Sequence, residues 1–175
     1  MGERGVVAKS YQSSKERKND IIYTPKQLAI NCINSVPFVA GDKVLDPFYG
    51  KGVWYDNYPD FVDKDFTEIR PPYETNFFTY DQEVDWCVSN PPFSKLNRVF
   101  EKSIEVSQKG FAYIMAGHNI TRKRMQMVKE ANFGLTGIAY FFVPEWFGFP
   151  CIFVIFEKDK PGIELFECRN YSFDE

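Results

Sequence analysis

A nine-residue run, Asp85-Trp86-Cys87-Val88-Ser89-Asn90-Pro91-Pro92-Phe93, limits the architecture more than any other part of the 175-residue sequence. Trp86, Cys87 and Val88 suit a strand covered on both faces. Such a strand belongs inside a sheet with helices layered on each side. Asn90 then ends the strand with an amide that both donates and accepts hydrogen bonds. Pro91 and Pro92 have fixed φ and no N–H, so the carbonyls there point in set directions with no local donor nearby. Phe93 adds an aromatic face. Carbonyl and amide oxygens at such a corner can take the hydrogens of an exocyclic amine while the Phe ring stacks on the flat ring that bears it. A proline-rich turn after a core strand is the plain alternative, and the rest of the chain decides between the two.

The segments around this run alternate between the two periodicities. Residues 1–20 carry Arg4, Lys9, Lys15, Arg17 and Lys18 among polar residues and offer little to bury. They read as a flexible basic arm preceding a domain over 21–175. Thr24 suits an N-cap and Pro25 an N1 position, with Leu28, Ala29, Cys32 and Ile33 following at helical spacing. Residues 43–46 form a first strand, followed by the bend Pro47-Phe48-Tyr49-Gly50-Lys51-Gly52 and a short helix over 53–58. Residues 65–69 form a second strand, and Pro71-Pro72 prevents a full helix after it. Residues 76–80 read as a short extended piece. A helix over 96–107, a buried strand over 111–115 and a basic helix over 121–131 follow. Strands over 134–142 and 151–157 form an antiparallel pair across a short connection, with an edge strand at 163–166. The order predicts an α/β fold: a mainly parallel, Rossmann-like sheet with helices on both faces, finishing in an antiparallel hairpin.

The net charge of −3 disfavours a protein that holds nucleic acid through overall charge, though a local basic strip remains compatible with it. Four cysteines without a CxxC pair, and one histidine, give no zinc pattern. Cys87 and Cys151 lie in apolar runs and read as buried thiols. No apolar run is long enough to span a bilayer, and the first residues lack a signal-type apolar core. The expectation is a cytoplasmic protein with neither a metal nor a membrane partner.

Ligands of open α/β sheets bind outside the carboxyl ends of the strands. Those ends carry Asp46, Glu68, Asn90 and His118. The glycine bend lets backbone approach a ligand closely. It is not a P-loop, because Leu45 and Gly52 stand where glycine and Ser or Thr are required, and Tyr55 replaces the third glycine of the dinucleotide fingerprint. An acid ending the second strand suits ribose hydroxyls. A nucleoside cofactor without phosphates is S-adenosylmethionine.

With that cofactor in view, Val44-Leu45-Asp46-Pro47-Phe48-Tyr49-Gly50-Lys51-Gly52 resembles the DPFxGxG cofactor motif of amino-methyltransferases. Ser89-Asn90-Pro91-Pro92-Phe93 resembles their (D/N/S)PP(Y/F) catalytic motif, and Tyr23-Thr24-Pro25 resembles the segment that lies against the methionine part of the cofactor. Taken in order, the three motifs are similar to those of N6-adenine DNA methyltransferases, over roughly residues 21–157, with a compact build like small phage-type adenine methylases. The resemblance implies that Tyr23, Thr24, Pro25, Asp46, Pro47, Phe48, Gly50 and Gly52 shape the cofactor pocket and that Glu68 holds the ribose. It also implies that Asn76 or Asp81 contacts the cofactor adenine. Asn90, Pro91, Pro92 and Phe93 match the catalytic set, with Asn90 also bordering the cofactor and Phe93 stacking on a base flipped out of the duplex. His118 reads as a loop histidine, because methyl transfer from a sulfonium needs no prior general base.

This sequence departs from the family in Lys51 between the glycines, in the missing helix after the second strand and in having no separate target-recognition domain. Sequence recognition then falls to residues 118–129, the loop at 145–150, the basic arm, a second protomer or a separate recognition subunit. Arg122, Lys123 and Arg124 are candidates for phosphate contacts, or else a solvated helix face. The expected partner is nucleic acid, DNA first. An RNA base, a protein glutamine amide and a non-catalytic binding subunit are the competing readings.

Overall fold

Alternating burial along the central strands builds two layers at once. Leu45, Cys87, Phe111, Tyr113 and Met115 face one way, and Val44, Trp86, Val88, Ala112 and Ile114 face the other. Successive strand side chains point to opposite faces, so apolar residues at both parities require cover on both. The computed structural model describes residues 22–144, 146 and 150–163. In it, helix α1 (Lys26–Ile33) covers the second face, and α2 (Leu96–Val106) and α3 (Arg122–Glu130) cover the first. Helix α2 turns Leu96, Val99, Phe100 and Val106 inward. A side chain of this size contributes roughly 1.5–3 kcal/mol when fully buried.

Six strands form the sheet: β1 (Lys43–Asp46), β2 (Asp63–Phe66), β3 (Val84–Ser89), β4 (Ser107–Ala116), β5 (Phe133–Phe141) and β6 (Cys151–Lys158). Their order is β2-β1-β3-β4-β6-β5. The first four are parallel, and β6 runs antiparallel between β4 and β5. The chain winds one way from β1 to β2 and the other way from β3 onward. The switch point therefore lies between β1 and β3, where the register sets Val44 beside Trp86 and Leu45 beside Cys87.

The expected Rossmann-like sheet with a terminal antiparallel hairpin is thus observed, and four local expectations are corrected. Pro25 sits at the N-cap of α1 rather than at N1, so Thr24 lies one residue outside and makes no cap. Its hydroxyl is held elsewhere, as described below. The short helix expected over 53–58 is a 3₁₀ turn at Tyr55–Asn57, because Pro59 allows no further turn. The second strand ends at Phe66, before Thr67 and Glu68 leave the ladder to bond the β1 exit and the loop behind them. Residues 76–80 are not extended: Asn76 Oδ1 accepts from Phe78 N at 3.0 Å and caps a 3₁₀ turn, Phe77–Thr79, which buries Phe77. The basic arm, most of the loop at 145–150 and most of the proposed edge strand lie outside the described residues. Ile163 N nevertheless donates to Leu135 O on β5 at 2.8 Å.

The end of the sheet opposite the switch-point crevice is tied by charge. Asp42 is buried, accepts from Val39 N and from the Trp86 indole N–H, and pairs with Lys109. Burying Asp42 beside these donors offsets the desolvation of its charge.

Candidate functional site

At the switch point the β1 and β3 exits are joined directly. Asp46 is fully buried, and its Oδ1 accepts from Ser89 Oγ at 2.6 Å and from Phe48 N at 3.1 Å. Asp46 Oδ2 is buried with no hydrogen-bond partner among the described residues. Burial disfavours the charged form and pushes the Asp46 carboxyl up to about 7, against the pull of the Ser89 and Phe48 donors. An orphaned acceptor at the mouth of a sheet crevice is ready for an incoming donor, above all a cationic one.

The bend after β1 wraps this acid with backbone. Gly50 (φ +60°) and Gly52 (φ +81°) hold left-handed conformations that favour glycine. A Cβ at Gly52 would meet Tyr49 Oη at 2.8 Å and Asp56 Oδ2 at 3.0 Å. The β2 exit is stitched to the bend: Thr67 Oγ1 donates to Pro47 O at 2.7 Å, and Tyr49 N donates to Thr67 O at 3.1 Å. Glu68, 8% exposed, accepts from Gly50 N at 2.9 Å and pairs with Arg70. Arg70 is the main cause that holds the Glu68 carboxyl below its ordinary range. Phe48 packs edge-to-face on Phe77 with ring centroids 5.5 Å apart, which brings the turn capped by Asn76 beside the bend.

The N-terminal segment closes the other side. Thr24 is buried, and its Oγ1 accepts from the Trp54 indole N–H at 3.1 Å and from Asn90 Nδ2 at 3.3 Å. Asn90 Nδ2 also donates to Ile22 O at 3.2 Å. With the amide nitrogen so engaged, the capacity left to the Asn90 side chain is that of the Oδ1 acceptor. Lys51 Nζ sits 4.1 Å from the centroid of the exposed Tyr23 ring. Pro91 is buried and Phe93 is half-buried, packed against both apolar clusters.

The structure therefore brings Tyr23, Thr24, Asp46, Pro47, Phe48, Gly50, Gly52, Glu68 and Asn90 to one sheet edge, with Pro91, Pro92 and Phe93 continuing from it. Pro25 is exposed at the start of α1, and Asp81 is exposed on the loop before β3. His118 lies on the 3₁₀ turn after β4, and Arg122 and Lys123 are exposed in the first turn of α3. Arg124 is half-buried, with Nη1 donating to Asn119 O at 2.6 Å and its Nε buried without a partner among the described residues. Among the described residues no group of three or more His, Cys, Asp or Glu could hold a metal ion, and no helix is long and apolar enough to cross a membrane. Sequence reasoning missed Ser89, Trp54 and Arg70. Ser89 carried a signal, as a polar residue closing an apolar strand. Trp54 and Arg70 carried none beyond their nearness to Gly52 and Glu68.

No protein-family model and no curated protein sequence matches the chain. Solved structures do. A provisionally assigned RNA methyltransferase from Pyrococcus horikoshii superposes with a TM-score of 0.61 at 16% identity, covering 76% of this chain and 81% of that one. Magnesium protoporphyrin IX methyltransferase from Synechocystis, solved with bound S-adenosylmethionine, gives 0.61 at 6% identity, covering 76% of this chain and 79% of that one. The modification protein of the type I restriction enzyme EcoKI gives 0.60 at 14% identity, covering 82% of this chain and 45% of that one. The chain has the Rossmann-like methyltransferase fold. The similar structures bear the names of an RNA methyltransferase, a tetrapyrrole methyltransferase and a restriction-enzyme subunit, so fold likeness names no substrate for this chain.

Proposed function

We propose that this protein is an S-adenosylmethionine-dependent methyltransferase that methylates the N6 amine of adenine in DNA. The observation that carries the reading is the Asn90 corner: its amide nitrogen is held by Ile22 O and Thr24 Oγ1, beside a buried acid and a glycine bend on the same sheet edge. The residues present fit the cofactor. Asp46 offers a buried, unpartnered oxygen for a donor, Gly50 and Gly52 give close backbone approach, and Glu68 supplies an acid where ribose hydroxyls would lie. Tyr23, Thr24, Pro25, Pro47 and Phe48 border that space, and Asn76 or Asp81 would meet the adenine end.

Bound there, the cofactor supplies an electrophilic methyl group on a sulfonium. The chain's own task is to prepare the acceptor nitrogen. An adenine N6 lone pair is delocalised into the ring. Asn90 Oδ1 and the Pro91 carbonyl accept the two N6 hydrogens and draw that nitrogen towards a pyramidal, nucleophilic geometry. Phe93 stacks on the base and offsets a few kcal/mol of unstacking. A water-poor aromatic wall would favour transfer from a cationic donor, because such a reaction neutralises charge. Arg122 and Lys123, exposed on α3, and Arg124 beside them are assigned to backbone phosphates.

An RNA base is the second reading, favoured by the Pyrococcus structure among the similar folds. Incubation with tritiated cofactor and with DNA, RNA or protein in turn separates the two. Label in DNA adenine supports the first reading. Label in RNA alone replaces it with the second, and label in neither nucleic acid rejects both.

A further inference from the structure

Glu68 is saturated with donors. Oε1 accepts from Arg70 N at 3.0 Å and Arg70 Nε at 2.8 Å, and Oε2 accepts from Gly50 N at 2.9 Å and Arg70 Nη2 at 2.7 Å. A carboxylate offers about four lone-pair directions, and these four N–H groups fill them. Two of the donors are backbone amides and stay where the fold puts them. The other two belong to the fork of one side chain, which is 40% exposed.

The fork is presented by a built loop. Thr75 N donates to Glu68 O at 2.9 Å while Thr75 Oγ1 accepts from Glu68 N at 2.9 Å, which closes the chain between them. Inside that loop Arg70 O accepts from Tyr73 N at 3.2 Å, so Arg70 begins a turn whose base is pinned at Glu68. A Cβ placed on Gly50 would lie 3.9 Å from both Arg70 Nη2 and the Tyr23 ring. The guanidinium therefore stands between the glycine bend and the N-terminal segment, within the space assigned to the ribose.

We infer that Arg70 is a further residue of the cofactor site, a placeholder whose paired N–H groups occupy Glu68 until the vicinal diol of the cofactor ribose replaces them. This rests on the S-adenosylmethionine reading above. The chemistry matches group for group. A guanidinium fork gives a carboxylate two parallel donors, and a vicinal diol gives it two O–H donors. Exchange leaves Glu68 ionised, because Gly50 N and Arg70 N still donate to it. Before the exchange, the guanidinium fills the two acceptor directions of Glu68 that these backbone donors leave open. A ligand without two adjacent hydroxyls cannot make the exchange, so Arg70 also discriminates against deoxyribose ligands.

The test is calorimetric titration with S-adenosylhomocysteine, which carries no net charge at neutral pH, against the wild type and Arg70→Met at low and high salt. Arg70→Met is expected to bind about threefold to tenfold tighter, the lower figure allowing for the partial exposure of the pair. Wild-type affinity is expected to rise with salt as the pair is screened, and that of the variant to stay flat. Equal or weaker binding by Arg70→Met, or a wild-type affinity that is flat or falls with salt, overturns the placeholder role and leaves the cofactor reading standing. The wild-type salt series needs no variant, so it decides even where Arg70→Met folds poorly. Failure of both proteins to bind overturns the cofactor reading and this inference together.

Discussion

Asn90 Nδ2 stands 3.3 Å from Thr24 Oγ1, an oxygen supplied from 66 residues earlier in the chain. The same oxygen takes the Trp54 indole N–H, so one buried hydroxyl ties the N-terminal segment, the region after the glycine bend and the Asn90 corner together. Thr24→Val keeps the shape and removes the acceptor. It is expected to slow methyl transfer about tenfold to a hundredfold through misplacement of Asn90, with little change in nucleic-acid affinity. Stability should fall by about 1–2 kcal/mol, because the Trp54 donor is left buried and unpaired. Thr24→Ser should restore both. Single-turnover rates and thermal melts of the three proteins check this.

Asp46 sets a pH dependence of stability. Its folded-state carboxyl titrates near 7, above its ordinary value of 3.8, because burial opposes the charge. Between these values the unfolded chain has lost the proton and the folded chain keeps it, so rising pH favours unfolding. The contribution of Asp46 is therefore greatest below pH 4, declines up to about pH 7 and is flat above it. Denaturant melts across this range should show that decline, and Asp46→Asn should remove it.

Gly52 is held at φ +81° with Tyr49 Oη 2.8 Å from where a Cβ would stand. Gly52→Ala is expected to cost about 1–3 kcal/mol and to weaken cofactor binding, since the bend must shift to admit the methyl group. Thermal melting with and without S-adenosylhomocysteine measures both effects.

Within α3 the three basic side chains should separate. Arg122→Ala and Lys123→Ala are expected to weaken DNA binding uniformly across sequences and to reduce the salt slope by about one each. Arg124→Ala should also lower stability, because Arg124 Nη1 holds Asn119 O on the turn after β4. Binding titrations over a salt series, alongside melts, distinguish the two behaviours.

The sheet was legible in the sequence because its strands are short apolar runs that stop on polar residues. Lys43–Asp46 was expected to the residue, and the antiparallel ending followed from two long strands joined by a short connection. The errors arose where a side chain prefers a distant partner to a local one. Thr24 reads as a cap by composition, yet its hydroxyl serves Trp54 and Asn90, which no local window reveals. Asn76 shows the reverse: its local cap turns an apparently extended run into a 3₁₀ turn. Arg70 was invisible for a third reason, since its meaning depends on how many acceptor directions Glu68 has left, a count that only the folded geometry supplies.

The most direct test of the central claim is chromatographic analysis of nucleosides from DNA treated with the protein and tritiated S-adenosylmethionine, run beside Asn90→Ala. The account predicts label in N6-methyladenine with the wild type and none above background with Asn90→Ala. Label on another base, or full activity in a folded Asn90→Ala, would contradict it.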